Sequence, residues 1–230
     1  MKLLRALHID NKPYPLIEEQ VVLDYSTPGR AQLLFDAGGA EIKNHQIVSL
    51  CIGYSRHESM QRLFLGYVEK VNVIDKRVKI FCRELSAVLN LTLPLDLRHV
   101  TMTEVLTVIG EKTGLQFAPG SSAYSSTKIA NFYNLGNGYQ ALDLMARLFK
   151  IDNYFWQQQG GGVVYAGSWD DSRWASRAVE IEESMFDEHL SNSARLAAVP
   201  ALRPGVKLNG RIVSQVQFGG NHMDIQWKKP

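Results

Sequence analysis

Between residues 206 and 218 the apolar side chains fall on every second position. Val206, Leu208, Ile212, Val216 and Phe218 alternate with Lys207, Asn209, Arg211, Gln215 and Gln217. After a Gly219-Gly220-Asn221 turn, Met223, Ile225 and Trp227 alternate with Asp224, Gln226 and Lys228. A period of two buries one face of a β-strand and wets the other, so the stretch predicts an antiparallel hairpin with one apolar face. A lone hairpin is barely stable in water, and this one must extend a sheet made elsewhere. The first ninety residues carry the same signal. STPGR at 26–30 and DAGG at 36–39 are turn clusters bracketing AQLLFDA, and IVSLCIGYS (47–55), QRLFLGYVEKVNVI (61–74) and RVKIFCREL (77–85) follow. In the last of these Val78, Ile80 and Cys82 point one way while Arg77, Lys79 and Arg83 point the other, and Asp75-Lys76 supplies a short hairpin loop before it. Short strands at this spacing, with almost no helical period, predict a small barrel or sandwich.

The period changes in the middle of the chain. TMTEVLTVIGEKTGL opens with Thr101 and Glu104 in capping-box spacing, sets Val105, Leu106 and Ile109 on one helix face, and places Gly114 as a stop. NGYQALDLMARLFKIDN repeats the logic after Asn137, with Tyr139, Leu142, Met145, Leu148 and Phe149 at helical spacing. NYFWQQQGGGVVYAG then predicts a hairpin with arms 154–157 and 163–166 around its glycines. An α/β block over roughly 91–170 results. Beyond it, RAVEIEES (177–184) predicts a strand and DEHLSNSARLAAVP (187–200) an irregular connection.

Composition narrows the functional classes. The 230 residues balance 25 Lys+Arg against 23 Asp+Glu, without the basic excess that counterion release on duplex DNA requires. The opening MKLLRALHIDNKPYP turns polar by His8, too soon for a secretory h-region, and no stretch approaches ~18 uninterrupted apolar residues, so a soluble, unexported protein is expected. Cys51 and Cys82 lie in predicted strands without CxxC spacing, as buried reduced thiols do. The histidines at 8, 45, 57, 99, 189 and 222 are scattered, with no HExxH and no cysteine at zinc spacing. Gly160-Gly161-Gly162 lacks the Lys-Ser/Thr of a phosphate loop and fits a hairpin tip. Carboxylates cluster at Asp170-Asp171 and at Glu180, Glu182 and Glu183; Glu180 and Glu182 share one face of a predicted strand, as a solvated edge does, whereas glycosidase acids face each other across a cleft. No GxSxG or Cys-His signature is present. Trp156, Trp169, Trp174 and Trp227, with Tyr154 and Tyr165, fit either a sugar-stacking platform or a core and subunit interface. No catalytic, cofactor-binding or metal-ligating residue is singled out, and no cofactor is expected.

The strand-rich start, VTMTEVLTVIGEKTGLQF, NGYQALDLMARLFKIDNYFWQQQGGGVVYAG and above all LRPGVKLNGRIVSQVQFGGNHMDIQW resemble, in their order, the tail-hub proteins of bacteriophages. That group includes the late control protein D family, the Mu-like baseplate hub and the N-terminal part of the type VI secretion spike protein. The resemblance implies a β-dominated α+β fold: two small antiparallel β-barrels, 1–90 and 171–230, with an α/β insertion at 91–170 between them. It implies a homotrimer whose barrels form a pseudo-sixfold ring, stacked on a hexameric tail tube or distal tail protein. A tip, needle or fibre protein would lie beyond it and the tape-measure protein in its lumen. The expected place is the virion tail tip, assembled in the bacterial cytoplasm, with no enzyme activity, no sequence-specific nucleic acid and no membrane insertion. With Pro230 directly after the last strand, and neither a lysozyme domain nor a needle repeat, piercing or peptidoglycan cutting is expected on another polypeptide. The short 171–230 segment is expected to borrow strands from the insertion or a neighbour. The rival reading is a carbohydrate-binding or glycan-cleaving module built on the Trp/Tyr-rich hairpin.

Overall fold

The computed structural model describes residues 2–55, 59–75 and 77–228, so His57 and Lys76 lie outside the described residues. The chain opens with β1 (Leu3–Ile9), β2 (Lys12–Tyr14), β3 (Leu16–Asp24), β4 (Arg30–Asp36), β5 (Ile47–Tyr54), β6 (Gln61–Ile74) and β7 (Arg77–Glu84). A mixed stretch follows: β8 (Leu95–Val100), α1 (Met102–Thr113), β9 (Phe117–Pro119), β10 (Ile129–Asn134), α2 (Gly138–Leu148), β11 (Tyr154–Gln158) and β12 (Val164–Ser168). It ends with β13 (Ala178–Val179), β14 (Phe186–His189), β15 (Ser193–Ala197), β16 (Lys207–Leu208), β17 (Arg211–Gly219) and β18 (His222–Trp227). These elements form two compact units, Met1–Glu84 with Ala178–Pro230, and Leu85–Arg177.

The first unit is one 13-stranded sheet in the order β14-β15-β18-β17-β3-β4-β7-β6-β5-β1-β2, with β16 on β17 and β13 on β16. Its inward faces are those the alternation predicts: Val78, Ile80 and Cys82 on β7, and Val216, Phe218, Met223, Ile225 and Trp227 on β17 and β18, are buried. The hairpin β17–β18 extends a sheet made elsewhere, pairing antiparallel with β3 from Gln215↔Asp24 to Gly219↔Gln20. The sheet curls. β1 and β3 stand at opposite ends of the run β3-β4-β7-β6-β5-β1, yet Arg5 Nε meets Glu19 Oε1 at 2.8 Å. That closure is made by side chains; the ladders of β1 run to β2 and β5.

Three sequence readings need correction. Residues 187–200 contain the strand pair β14–β15 instead of an irregular connection; Ala194, Leu196 and Ala198 alternate inward, and β15 pairs with β18. The strand predicted over 177–184 shrinks to Ala178–Val179, because the Asn209 side chain takes over from the ladder. Its Oδ1 accepts from Ile181 N and its Nδ2 donates to Ile181 O, both at 2.8 Å. Finally, the alternation that set Ile212 beside Val216 is broken by a bulge between Val213 and Gln215. One extra residue flips the face, so Val213 is buried and Ile212 only half-buried.

The second unit packs α1 and α2 against a two-stranded sheet, β8–β10, and a three-stranded one, β11-β12-β9. Both predicted caps form. Thr101 Oγ1 accepts from Glu104 N at 3.2 Å while Glu104 Oε2 accepts from Thr101 N at 2.7 Å, and Gly114 closes α1 at φ 74°. Asn137 and Gln140 do the same for α2. Thr101→Ala removes the acceptor for an otherwise unpaired helical N–H and is expected to cost about 1 kcal/mol in thermal or urea unfolding. An unchanged melting curve would show that α1 does not depend on this cap.

Candidate functional site

The aromatic residues that could have formed a sugar platform are mostly interior. Trp156 is 2% exposed, stacks on Tyr139 with centroids 5.7 Å apart, and donates from Nε1 to Asp143 Oδ1 at 3.0 Å. Tyr154 donates to Leu142 O and Tyr165 to Ser168 O, both at 2.7 Å. Trp174 and Trp227 are buried, with Arg173 and Arg211 laid over their rings, and Trp169 is half-buried. Stacking a pyranose needs a ring face open to water, and the hairpin aromatics spend theirs on the core. The carbohydrate-binding reading of this hairpin therefore falls.

The carboxylate clusters hold turns. Asp171 accepts from Ser122 Oγ at 2.6 Å and Tyr124 Oη at 2.7 Å, which holds its pKa below the ordinary range. Tyr124 is pushed up to about 12, first by burial. Asp170 accepts from Asn153 Nδ2 at 3.0 Å. Glu180, Glu182 and Glu183 are exposed and lie off any strand, so the shared strand face expected for Glu180 and Glu182 is absent. Gly160, Gly161 and Gly162 form the tip of the β11–β12 hairpin, where Gln159 N donates to Val163 O and Gly162 N to Gln159 O. Cys51 and Cys82 are free thiols on β5 and β7, and burial raises the Cys82 thiol well above its ordinary value. Among the described residues no three His, Cys, Asp or Glu side chains gather as a metal site would require, and no helix is long and apolar enough to cross a membrane.

The constellation that sequence reasoning missed is a buried ion pair in the first unit. Glu84, 3% exposed at the end of β7, accepts from Arg203 Nη2 at 3.1 Å and, through its other oxygen, from Gly29 N at 2.7 Å. Arg203, 5% exposed, also donates from Nη1 to Leu63 O at 2.6 Å. Burial raises the Glu84 pKa and lowers that of Arg203, opposed in each case by the partner's charge. Four segments meet there: the β3–β4 turn, β6, β7 and the connection before β16. A signal was present, since Glu84 continues the inward parity of Val78, Ile80 and Cys82, where a carboxylate needs a buried partner.

No protein-family model matches the chain. It is 29% identical over 228 residues, 96% of its length, to an uncharacterized 58.7 kDa protein from the lys 3′ region of Haemophilus phage HP1. The chain spans 41% of that relative. Among solved structures, the 43 kDa tail protein of prophage MuSo2 from Shewanella oneidensis superposes with a TM-score of 0.70 at 10% identity, covering 98% of this chain and 96% of that one. A tail protein from Neisseria meningitidis MC58 gives 0.70 at 7% identity, covering 100% and 97%. An E. coli type VI secretion component, described as structurally similar to the T4 tail proteins gp27 and gp5, gives 0.65 at 10% identity, covering 97% and 76%. The fold is shared with these phage tail proteins, as the resemblance in the order of elements implied.

Proposed function

We propose that the chain is a structural protein of a bacteriophage tail, the hub at its tip, and that its work is geometric. The observation that carries this reading is the fold match to a prophage tail protein over nearly the whole of both chains. The phage-encoded relative supports it. So does the disposition of the described polar residues, which cap helices, pin turns and clamp the sheet.

In this reading the strands of 1–90 and 171–230 supply two barrel walls and 91–170 the insertion. Three copies, each contributing two barrels, make a ring of threefold symmetry and approximate sixfold symmetry. Such a ring meets a hexameric tube on one side and a threefold tip, needle or fibre protein on the other, with the tape-measure protein in the channel. The curl of the sheet suits it to a wall, because a run of strands whose ends meet leaves, among the described residues, the short strands β2, β13 and β14 as its outer edges. The protein is then a virion component at the tail tip, assembled in the bacterial cytoplasm, and not an enzyme.

Cryo-electron microscopy of assembled tails tests this. The expected result is density for the chain on the tail axis in three copies around a lumen. A peripheral position, or a monomer that hydrolyses a glycan, would overturn it.

A further inference from the structure

The outward face of the 13-stranded sheet is divided by charge. Cross-strand partners in an antiparallel sheet point to the same side, so the register traces which side chains share this face. One row runs from Glu188 on β14 through Arg195, Asp224 and Gln217, crosses the buried Val22 of β3, and reaches Arg30, which pairs with Asp24 at 3.4 Å, and Arg83 on β4 and β7. It begins acidic and ends basic.

At the acidic end, Arg195 is outnumbered. Asp224 lies 2.7 Å from it and Glu188 3.4 Å, while Asp187 adds its field and lies 3.6 Å from His222. At the basic end, Arg77, Lys79 and Lys70 are exposed on the same face and, among the described residues, make no ion pair; the exposed Asp36, register partner of Arg77, offsets one of these charges and leaves the flank basic. Each end also shows apolar surface. Leu190, 65% exposed, shares a groove with Glu188 and Asp224, and Ile74, 46% exposed, is the register partner of Arg77. Charge bordering exposed apolar side chains is the make-up of an interface.

Topology sets the two ends apart. In the curled run β3-β4-β7-β6-β5-β1, whose ends meet at Arg5 and Glu19, β7 and β6 stand half-way round from β3. The acidic strands β15 and β18 continue the ladder beyond β3 through β17. Two flanks of opposite sign thus face different directions on one body. That is the arrangement a head-to-tail contact requires, since each copy offers a different surface to each neighbour.

We infer that the β6–β7 flank, centred on Lys70 and Lys79, docks onto the β14–β15–β18 flank of a second copy, centred on Asp187, Glu188 and Asp224. The inference rests on the ring reading and adds to it the two surfaces that meet. The occupant is another copy because the same face carries both the cations and their counter-charges, and a net charge of +2 leaves little surplus for a polyanion.

Reversing one flank at a time tests the pairing. Lys70→Glu with Lys79→Glu makes both flanks acidic, and Asp187→Lys with Glu188→Lys makes both basic; all four side chains are exposed, and matching melting curves would verify the fold. In sedimentation velocity at low salt, wild type is expected to self-associate and to dissociate as salt rises. Each single-flank variant should associate at least ~10-fold more weakly, and the chain carrying all four changes should recover, since its flanks are again opposite in sign. Single-flank variants that associate like wild type, a four-fold variant no better than they are, or a wild type that is monomeric at low salt would overturn the pairing. So would duplex DNA binding to the Lys70–Lys79 flank of a non-associating chain. An oligomer indifferent to these reversals removes the flank assignment and leaves the hub reading standing; an off-axis position in the tail removes the hub reading whatever the reversals do.

Discussion

Arg203→Met is expected to destabilise the first unit by about 3–5 kcal/mol, because it leaves the Glu84 carboxylate buried without its countercharge. Methionine fills much of the arginine stem's space, so the loss reports electrostatics more than a void. It also frees the Leu63 carbonyl that Arg203 Nη1 satisfies. The deficit should depend on pH with a definite sign. Burial holds Glu84 above the ordinary carboxylate range even with Arg203 present, and removing the guanidinium raises it further. Between the unfolded and folded pKa values the folded chain binds the extra proton, so stability falls as pH rises through that window. The variant should therefore lie nearest wild type in acid and furthest from it at neutral pH and above. Urea unfolding at a series of pH values checks both statements. A loss below about 1 kcal/mol at pH 7, or a deficit that grows toward acid, would show that the pair is not the clamp described. Replacing both partners, Glu84→Leu with Arg203→Met, should cost less than Arg203→Met alone, since no unpaired charge then remains.

Trp156→Ala should cost a similar amount, about 3–5 kcal/mol, in the unit Leu85–Arg177. The indole is fully buried, lies against Tyr139, and ties β11 to α2 through Asp143. Removing it opens a cavity between helix and hairpin that neighbouring side chains fill only in part. Amide exchange should rise across α2 and β11, and the melting of this unit should fall by several degrees. Trp156→Phe keeps most of the volume and should lose less than half as much. Were this tryptophan a ligand platform, the alanine variant would keep its stability and lose only binding; an unshifted melt would restore that possibility.

Much of this architecture was legible in the residues, and the failures are physical. α1 and α2 were readable because Thr101–Glu104 and Asn137–Gln140 satisfy helix ends by local hydrogen bonds that spacing alone reveals. β7 and β18 were readable because apolar and polar residues alternate along them, broken only by Phe81 in β7. β14–β15 escaped because the inward positions of β15 and its exit are Ala194, Leu196 and Ala198, two of them too small to mark a face, beside an Asn-Ser turn. The two-residue length of β13 depends on the Asn209 amide, which imitates a backbone partner from 28 residues away. The bulge at Val213–Gln215 is invisible in a periodicity that both registers nearly satisfy. Glu84 announced itself by parity, but nothing local joins it to an arginine 119 positions later. The hairpin tryptophans and tyrosines show a limit of another kind, since a π face is equally suited to a sugar or to a neighbouring ring, and only packing decides.

The pairing of β17 with β3 also dictates a schedule. Gln215 Nε2 reaches Asp24 Oδ1 across 191 residues, so the β3 edge, with buried Val21, Val22 and Leu23 behind it, leaves the ribosome long before its partner exists. Non-local closures of this kind are slow, and an open strand edge is an invitation to pair with other chains while the wait lasts. The stretch between them, with short-range helices and its own core, is free to fold in that interval. A nascent chain is thus committed to its sheet only after residue 219 has been made. Polypeptides released earlier lack β18 and leave the β3 edge unpaired.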